Sequence, residues 1–473
     1  MTRDHSRSSP SRTLDPVLAL QVDKDQAGLS VLGGGGSLAS VSSLCFVDSP
    51  NHAATPPLRT NDDSSDDDGE SIDNDSTDTP EFRCRGLVQG ERCHDQDATA
   101  RAREAAASVS LAGYKLLSCH TNGDSYIWDL SQRRIVEDFA PNRGPGLALC
   151  RFRSTIDDSS SAVLYHTRDS NGTISLHDLN GTTNRTIAQY ETHSKTFCPA
   201  TPCTGNANLL ATPWHHDSVA AIRDVRIPSQ SPPVALVLGA GIPDPSTIDT
   251  NPRGHGMLTS LAFSETGGGR PILACGMESG SLFFHDLAML RNNDTSFRRA
   301  PIFCQQASCS VKLSKDPVLA LDMTPSVLPG SSGADGSVVA IAGMAGDAAE
   351  LSELAAIDQG TVAVVKATLR DESLEARLRA RFATCQIGDG EGRGKPGVSI
   401  CRFRPDGRMF AVGGWDKRLR IFDRSKAASP LAILKGHEAS VTSADWAPDA
   451  ISSGLLATGA GDGCIYIWRC FSS

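Results

Sequence analysis

The chain has 473 residues, of which 21% are charged and 39% hydrophobic, and its formal net charge is -10. That balance describes a soluble, mildly acidic globular protein. It argues against direct nucleic-acid binding, which needs a clustered Lys/Arg surface that this sequence lacks.

Met1 to Arg12 is rich in Arg and Ser and is not followed by the apolar h-region of a secretory signal. No apolar run approaches the roughly 18 residues needed to cross a bilayer, so a soluble intracellular protein with no membrane partner is expected. Residues 1–13 are expected to be a disordered amino terminus. The short apolar stretch 14–22 (LDPVLALQV) reads as a strand.

A first repeat unit spans 36–139 and is interrupted at 48–112. That interruption holds NDDSSDDDGESIDNDSTDT (61–79), rich in Asp and Ser with no Lys or Arg. Such a stretch buries too little apolar area to fold alone, so a low-complexity acidic insertion that stays disordered is expected. QDATARAREAAASVS, which follows it, reads as a short helix. The unit resumes with KLLSCHTNGDSYIWDL (115–130), where Asn122-Gly123 marks a turn and Trp128-Asp129 ends a strand.

AVLYHTRDSNGTISLHDL (162–179) repeats this register within a unit at 146–192, with Asn171-Gly172 and His177-Asp178. PILACGMESGSLFFHDL (271–287), within 257–290, does so with Ser279-Gly280 and His285-Asp286. Units at 195–227 and 317–384 keep an inner strand, a loop and a small-residue strand but lose the Trp-Asp ending. Towards the end of the latter, leading into the next unit, Asp371 to Arg381 (DESLEARLRAR) reads as a helix.

The carboxy-terminal units, 397–437 and 439–471, are the clearest. Each gives an alternating strand, a Pro-Asp turn, a small-residue strand, an Asp-anchored turn and an alternating strand that ends in an aromatic residue. The small-residue runs AVGG and LATGA suit strands with close neighbours on both faces. Spacing of about 40 residues matches WD40 propeller blades. The fold expected is all-β, a seven-bladed WD40 β-propeller over 14–471, with six or eight blades as alternatives. The last unit lacks a fourth strand, so 14–22 is expected to supply it and close the ring.

The 14 cysteines include Cys150, Cys275, Cys401 and Cys464 inside strand-like runs, which read as small buried hydrophobes. His193, Cys198, Cys203, His215 and His216 lie close in sequence, but the Cys-x4-Cys spacing is loose and no second paired knuckle follows. No metal or cofactor is expected. Gly33 to Gly36 and GRGKPG (392–397) fail the phosphate-loop pattern, since Lys395 is followed by Pro396. Ser64 and Ser65 each have an aspartate three residues on, which suits an acidophilic kinase. The plainer reading is a loop kept solvated by its charge; the sharper one is a phosphorylated segment that docks on a basic pocket of a co-chaperone adaptor.

The closing stretch, with VSICRFRPDGRMFAVGGWDKRLRIFD, PLAILKGHEASV and LLATGAGDGCIYIW, resembles the WD40-repeat family of G protein beta subunit-like protein 1 and its fungal counterpart, ASTRA-associated protein 1. The resemblance is strongest over 396–470. It implies a non-enzymatic adaptor of nucleus and cytoplasm, a monomer within a hetero-complex. Its implied partners are a co-chaperone complex, the Hsp90 machinery and large kinases of the phosphatidylinositol-3-kinase-related class, or an ASTRA-type chromatin-linked complex. It also implies a buried blade network of His437, Thr458, Asp462 and Trp468, in which Asp462 accepts from the imidazole and the Trp468 indole pairs with the Thr458 hydroxyl. Asp416 remains alone in the preceding blade, where Val412 and Phe422 take the Thr and Trp places. His437 is read as structural rather than catalytic. A G-protein-β-like signalling subunit is the rival, disfavoured by Pro10, Pro16 and Gly28 and the lack of heptads near the amino terminus.

Overall fold

A computed structural model describes residues 12–14, 16, 18–21, 40–47, 111, 113–138, 144–153, 161–179, 185–238, 256–290, 303–325, 337–344, 359–370, 373–386, 397–426, 429–448 and 450–471. The acidic insertion at 61–79, the helix expected after it, and Ser64 and Ser65 lie outside these residues.

Strands β1 (Arg12–Leu14) and β2 (Leu18–Gln21) precede seven sheets. Blade one holds β3 (Val41–Val47), β4 (Lys115–His120), β5 (Ser125–Asp129) and β6 (Arg134–Asp138). Blade two holds β7 (Gly146–Arg153), β8 (Ser161–Thr167), β9 (Thr173–Asp178) and β10 (Arg185–Glu191). Blade three holds β11 (Thr201–Cys203), β12 (Asn206–Pro213), β13 (Val219–Asp224) and β14 (Ala235–Leu238). Blade four holds β15 (Leu258–Glu265), β16 (Pro271–Met277) and β17 (Ser281–Asp286); the chain then forms β18 (Phe303–Gln306) before the outer strand β19 (Cys309–Lys312). Blade five holds β20 (Val318–Pro325), β21 (Ser337–Met344), β22 (Gln359–Arg370) and β23 (Ser373–Gln386). Blade six holds β24 (Val398–Phe403), β25 (Met409–Gly414), β26 (Arg418–Asp423) and β27 (Pro430–Lys435). Blade seven holds β28 (Val441–Trp446), β29 (Leu455–Ala460) and β30 (Cys464–Arg469), with β2 as its outer strand. The first strands touch in order around the ring, and β28 lies against β3, so the seven-bladed propeller is closed.

Two observations make the closure physical. Leu18 faces Ile467 and Leu20 faces Ile465 in the antiparallel β2–β30 pair, joining the two ends of the chain in one sheet. Asp445 then accepts a hydrogen bond from the Phe46 backbone N–H at 2.9 Å, which joins blade seven to blade one.

Four boundaries differ from the sequence reading. Arg12 and Thr13, expected in a disordered terminus, form β1, which runs parallel to β27, so Leu14 belongs to blade six and the closing strand is Leu18–Gln21. An outer strand offers a row of free N–H and C=O groups, and pairing with it needs no side-chain pattern that composition could reveal. Blade three does not end at 227; its outer strand is Ala235–Leu238, and β18 adds to that strand in parallel. Blade four is completed beyond 290 by Cys309–Lys312. The helix expected at Asp371–Arg381 is instead strand β23, paired with β22 across a two-residue connection. Leu374 and Leu378 have helical spacing, but only Leu374 is buried, and the ladder to β22 supplies the backbone partners a short helix would have to find alone.

The second strands β16, β21 and β29 are buried along their whole length, as expected for small-residue strands pressed between neighbouring blades. The seams use one recurring fit. A methyl on Gly459 of blade seven would sit 2.5 Å from Cγ1 of Val41 in blade one, one on Gly413 2.9 Å from Cγ1 of Val441, and one on Gly276 2.8 Å from Cγ1 of Val318. Gly343 meets Val398 in the same way. Between blades one and two the sizes are exchanged: Cys119 occupies the glycine place and Gly146 the valine place.

Candidate interaction site at the channel mouth

In six first strands the ladder shifts register at the same point, leaving Ser42, Leu147, Thr259, Leu319, Ser399 and Thr442 as bulged residues. A bulge turns its extra residue out of the pairing, and these six line a central channel of about 380 Å³. Three of them carry hydroxyls that bind across the seams. Thr259 Oγ1 lies 2.7 Å from the Val318 carbonyl of the next blade, and Ser399 and Thr442 reach the carbonyls of Val441 and Val41 in the same way. Deeper in the channel, Arg402 lies 4.0 Å from Asp322, whose other oxygen accepts from the Phe403 N–H at 2.7 Å. Burial pushes the carboxyls of Asp322 and Asp445 above the usual range, an effect opposed by Arg402.

Strands alternate in direction, so the starts of the first strands and the turns between second and third strands share one face. Three large apolar side chains stand on it. Phe197 precedes β11 and is 66% exposed, Met257 precedes β15 and is 38% exposed, and Trp415 in the β25–β26 turn is 38% exposed. Phe197 and Met257 also line the channel mouth. The Arg168 guanidinium lies 3.6 Å from the centroid of the Phe197 ring, a cation–π contact that fixes the ring's position. Gly397 leaves room for Trp415, since a methyl there would lie 2.7 Å from the indole.

The structure places His437, Thr458, Asp462 and Trp468 together. The Trp468 indole N–H donates to Thr458 Oγ1 at 2.7 Å, and Thr458 Oγ1 lies 2.8 Å from His437 Nε2. The Thr458 hydroxyl thus joins the indole to the imidazole in one chain of hydrogen bonds, and the other ring nitrogen, Nδ1, has no hydrogen-bond partner of its own. That nitrogen faces Asp462 Oδ2 at 3.4 Å, an electrostatic contact without hydrogen-bond alignment. Asp462 spends its stronger bonds on the Glu438 N–H (2.7 Å) and the Cys464 N–H (2.9 Å), fixing the turn. Burial lowers the His437 pKa, so the ring is neutral near pH 7. The arrangement sets strand register and offers no reacting group to solvent.

Asp416 is not alone in blade six. Arg420 clamps it through both guanidinium ends, at 3.2 Å and 2.5 Å, with both side chains buried. Blade one carries a network that the sequence reading passed over: the Trp128 indole donates to Ser118 Oγ at 2.9 Å, and Ser118 Oγ lies 3.2 Å from His120 Nε2. Ser118 precedes Trp128 by the same ten residues that separate Thr458 from Trp468, a spacing visible in the sequence. The channel cluster and the rim aromatics left no such signal, because they come from different blades.

Cys275 and Cys401 are buried, whereas Cys150 and Cys464 are partly so. Among the described residues no group of three or more His, Cys, Asp or Glu is arranged to hold a metal ion, and no helix is long and apolar enough to cross a membrane.

The chain carries WD40 repeats: a family model described as WD domain, G-beta repeat matches residues 389–423 and 428–469. Over 359 residues, 75% of this chain and 87% of the relative, the sequence is 26% identical to guanine nucleotide-binding protein subunit beta-like protein 1 of Mus musculus. It is 40% identical to ASTRA-associated protein 1 of Aspergillus flavus over 77 residues, which are 16% of this chain and 17% of that protein. Among solved structures, the β-propeller domain of Cps50 (Swd1) from Myceliophteria thermophila is 16% identical with a TM-score of 0.48, over 76% of this chain and 93% of that one.

Proposed function

We propose that this WD40-repeat propeller is a protein-interaction scaffold with no catalytic site of its own, and that the channel mouth is where it holds a partner. The exposed Phe197 carries the reading, together with Met257 and Trp415 on the same face. Large apolar and aromatic side chains left in water around a rigid rim are the composition of interface cores. The His437–Thr458–Trp468 and Ser118–Trp128 networks, by contrast, are spent inside their own blades.

The cellular role is as an adaptor in co-chaperone-assisted maturation of phosphatidylinositol-3-kinase-related kinases, or in an ASTRA-type chromatin-linked complex, in nucleus and cytoplasm. The similarity to ASTRA-associated protein 1 over the last blades supports this. Affinity purification of the tagged protein, followed by mass spectrometry, tests it. Hsp90 co-chaperones and large kinases are expected, and Phe197→Ser with Trp415→Ser should release them while leaving the melting curve in place. Retention of all partners by that variant would move the site elsewhere, and recovery of a γ subunit would favour a G-protein-β-like signalling role.

A further inference from the structure

Between the outer strand of blade two and blade three lies a recess of about 560 Å³, walled by Glu191, His193, Trp214, Arg223, Pro232 and Pro233 among others. Arg223 lies at its heart and is 5% exposed. Its guanidinium sits 5.2 Å from the Tyr190 ring and 5.4 Å from the Trp214 ring. One hydrogen bond holds it, from Nη2 to the Glu191 carbonyl at 3.3 Å, and its Nε is buried with no acceptor. The buried Tyr190 hydroxyl beside it has none either.

Among the described residues no carboxylate pairs with this cation. Arg404, Arg420 and Arg270 are each clamped by an aspartate, Asp406, Asp416 and Asp286 respectively. The carboxylate of Glu191, which also lines the recess, is engaged by Asn171 Nδ2 at 3.1 Å and His193 Nε2 at 3.5 Å. A buried charge without a counter-charge is costly, and folded proteins keep one where something else supplies the partner. His193 on the rim adopts φ 53°, a left-handed backbone that a side chain rarely takes, and such conformations gather at binding sites.

We infer that this recess binds the carboxylate of an acidic peptide, with Arg223 as its counter-charge and the Trp214 and proline faces packing the flanking chain. A single guanidinium matches one negative charge and falls short of the two on a phosphate dianion, which the Glu191 carboxylate on the wall would repel further. With a net charge of -10 the chain repels acidic peptides generally, so capture of one requires a specific site. This inference goes beyond the scaffold reading and does not depend on the channel mouth.

The test is fluorescence anisotropy on the full chain with fluorescein-labelled pentaglutamate and pentaglutamine peptides. Pentaglutamate should bind at least ten-fold more tightly than pentaglutamine, and Arg223→Met should lose that difference while melting no lower than the parent. Equal affinity for the two peptides, no binding of either, undiminished pentaglutamate binding by Arg223→Met, or tighter binding of a phosphoserine peptide would each overturn the inference. The peptide comparison uses the unmodified protein and so stands even if the variant fails to fold. Since the chain carries its own acidic stretch, the titration is repeated with Asp66, Asp67 and Asp68 changed to Asn. Pentaglutamate should again bind at least ten-fold more tightly than pentaglutamine there, and loss of that preference would overturn the inference.

Discussion

The exchanged seam between blades one and two permits a quantitative test of how the ring is packed. Gly146→Val alone would drive a branched side chain into Cys119, whose Cβ lies 2.8 Å from where the new Cβ must stand. Overpacking of this kind costs about 1–3 kcal/mol. Cys119→Gly alone empties a buried position and adds a flexible residue to a central strand, together about 2 kcal/mol. The double variant recreates the glycine-on-valine fit present at Gly276, Gly343, Gly413 and Gly459. The Ser42 hydroxyl, which donates to the main-chain carbonyl of Cys119 at 3.0 Å, keeps its acceptor throughout. A favourable coupling of about 1–3 kcal/mol between the two changes is therefore expected. Urea denaturation followed by tryptophan fluorescence measures it, provided the m-values stay constant. Additive losses, or a Gly146→Val protein as stable as the parent, would refute the argument that side-chain volume is matched across each seam.

Deleting residues 1–24 removes β1 and β2 and with them the buried Leu18 and Leu20; losing roughly 2 kcal/mol for each leucine, the truncated chain should melt well below the full one, and coincident melts would show that the closure contributes nothing. Trp468→Phe deletes the indole donor to Thr458 and should cost about 1–3 kcal/mol by chemical denaturation, with Trp128→Phe costing the same in blade one. Arg420→Met leaves Asp416 buried without its clamp and should cost about 3–5 kcal/mol; adding Asp416→Asn should recover part of it. Burial holds the pKa of His166 and of His177 down to about 4 and lowers that of His437. The unfolded chain then takes up protons below pH of about 6.5 that the native rings refuse, so their contribution is complete at pH 7 and falls towards pH 4, by up to about 3 kcal/mol each for His166 and His177. His166 Nδ1 also accepts from the Ala200 N–H at 3.1 Å across the seam of blades two and three, a bond that protonation abolishes. The raised carboxyls of Asp322 and Asp445 oppose this trend, so a lower urea midpoint at pH 5 than at pH 7 is the result that shows the histidines dominate, and an unchanged midpoint would contradict it.

The architecture was legible in the sequence wherever a blade kept its local chemistry. Asp-anchored turns, strands ending in Trp128 and Trp468, and small-residue runs at LATGA and AVGG are all spelled within about forty residues, because the bonds that fix them lie within one sheet. The same locality made Thr458, Asp462 and Trp468 readable, and would have made Ser118 readable by its spacing. Tertiary structure alone decided the rest. Residues 12–14 pair with blade six, 303–306 with blade three, and 373–386 form a strand rather than a helix, because an open sheet edge accepts any backbone that reaches it. Whereas the Arg420 clamp spans only four residues from Asp416, the channel residues Arg402, Asp322 and Asp445, the rim of Phe197, Met257 and Trp415, and the uncompensated Arg223 arise from neighbours far apart along the chain. A circular fold brings such residues together through the blade angle and the bulges, and neither is written in any short stretch of sequence.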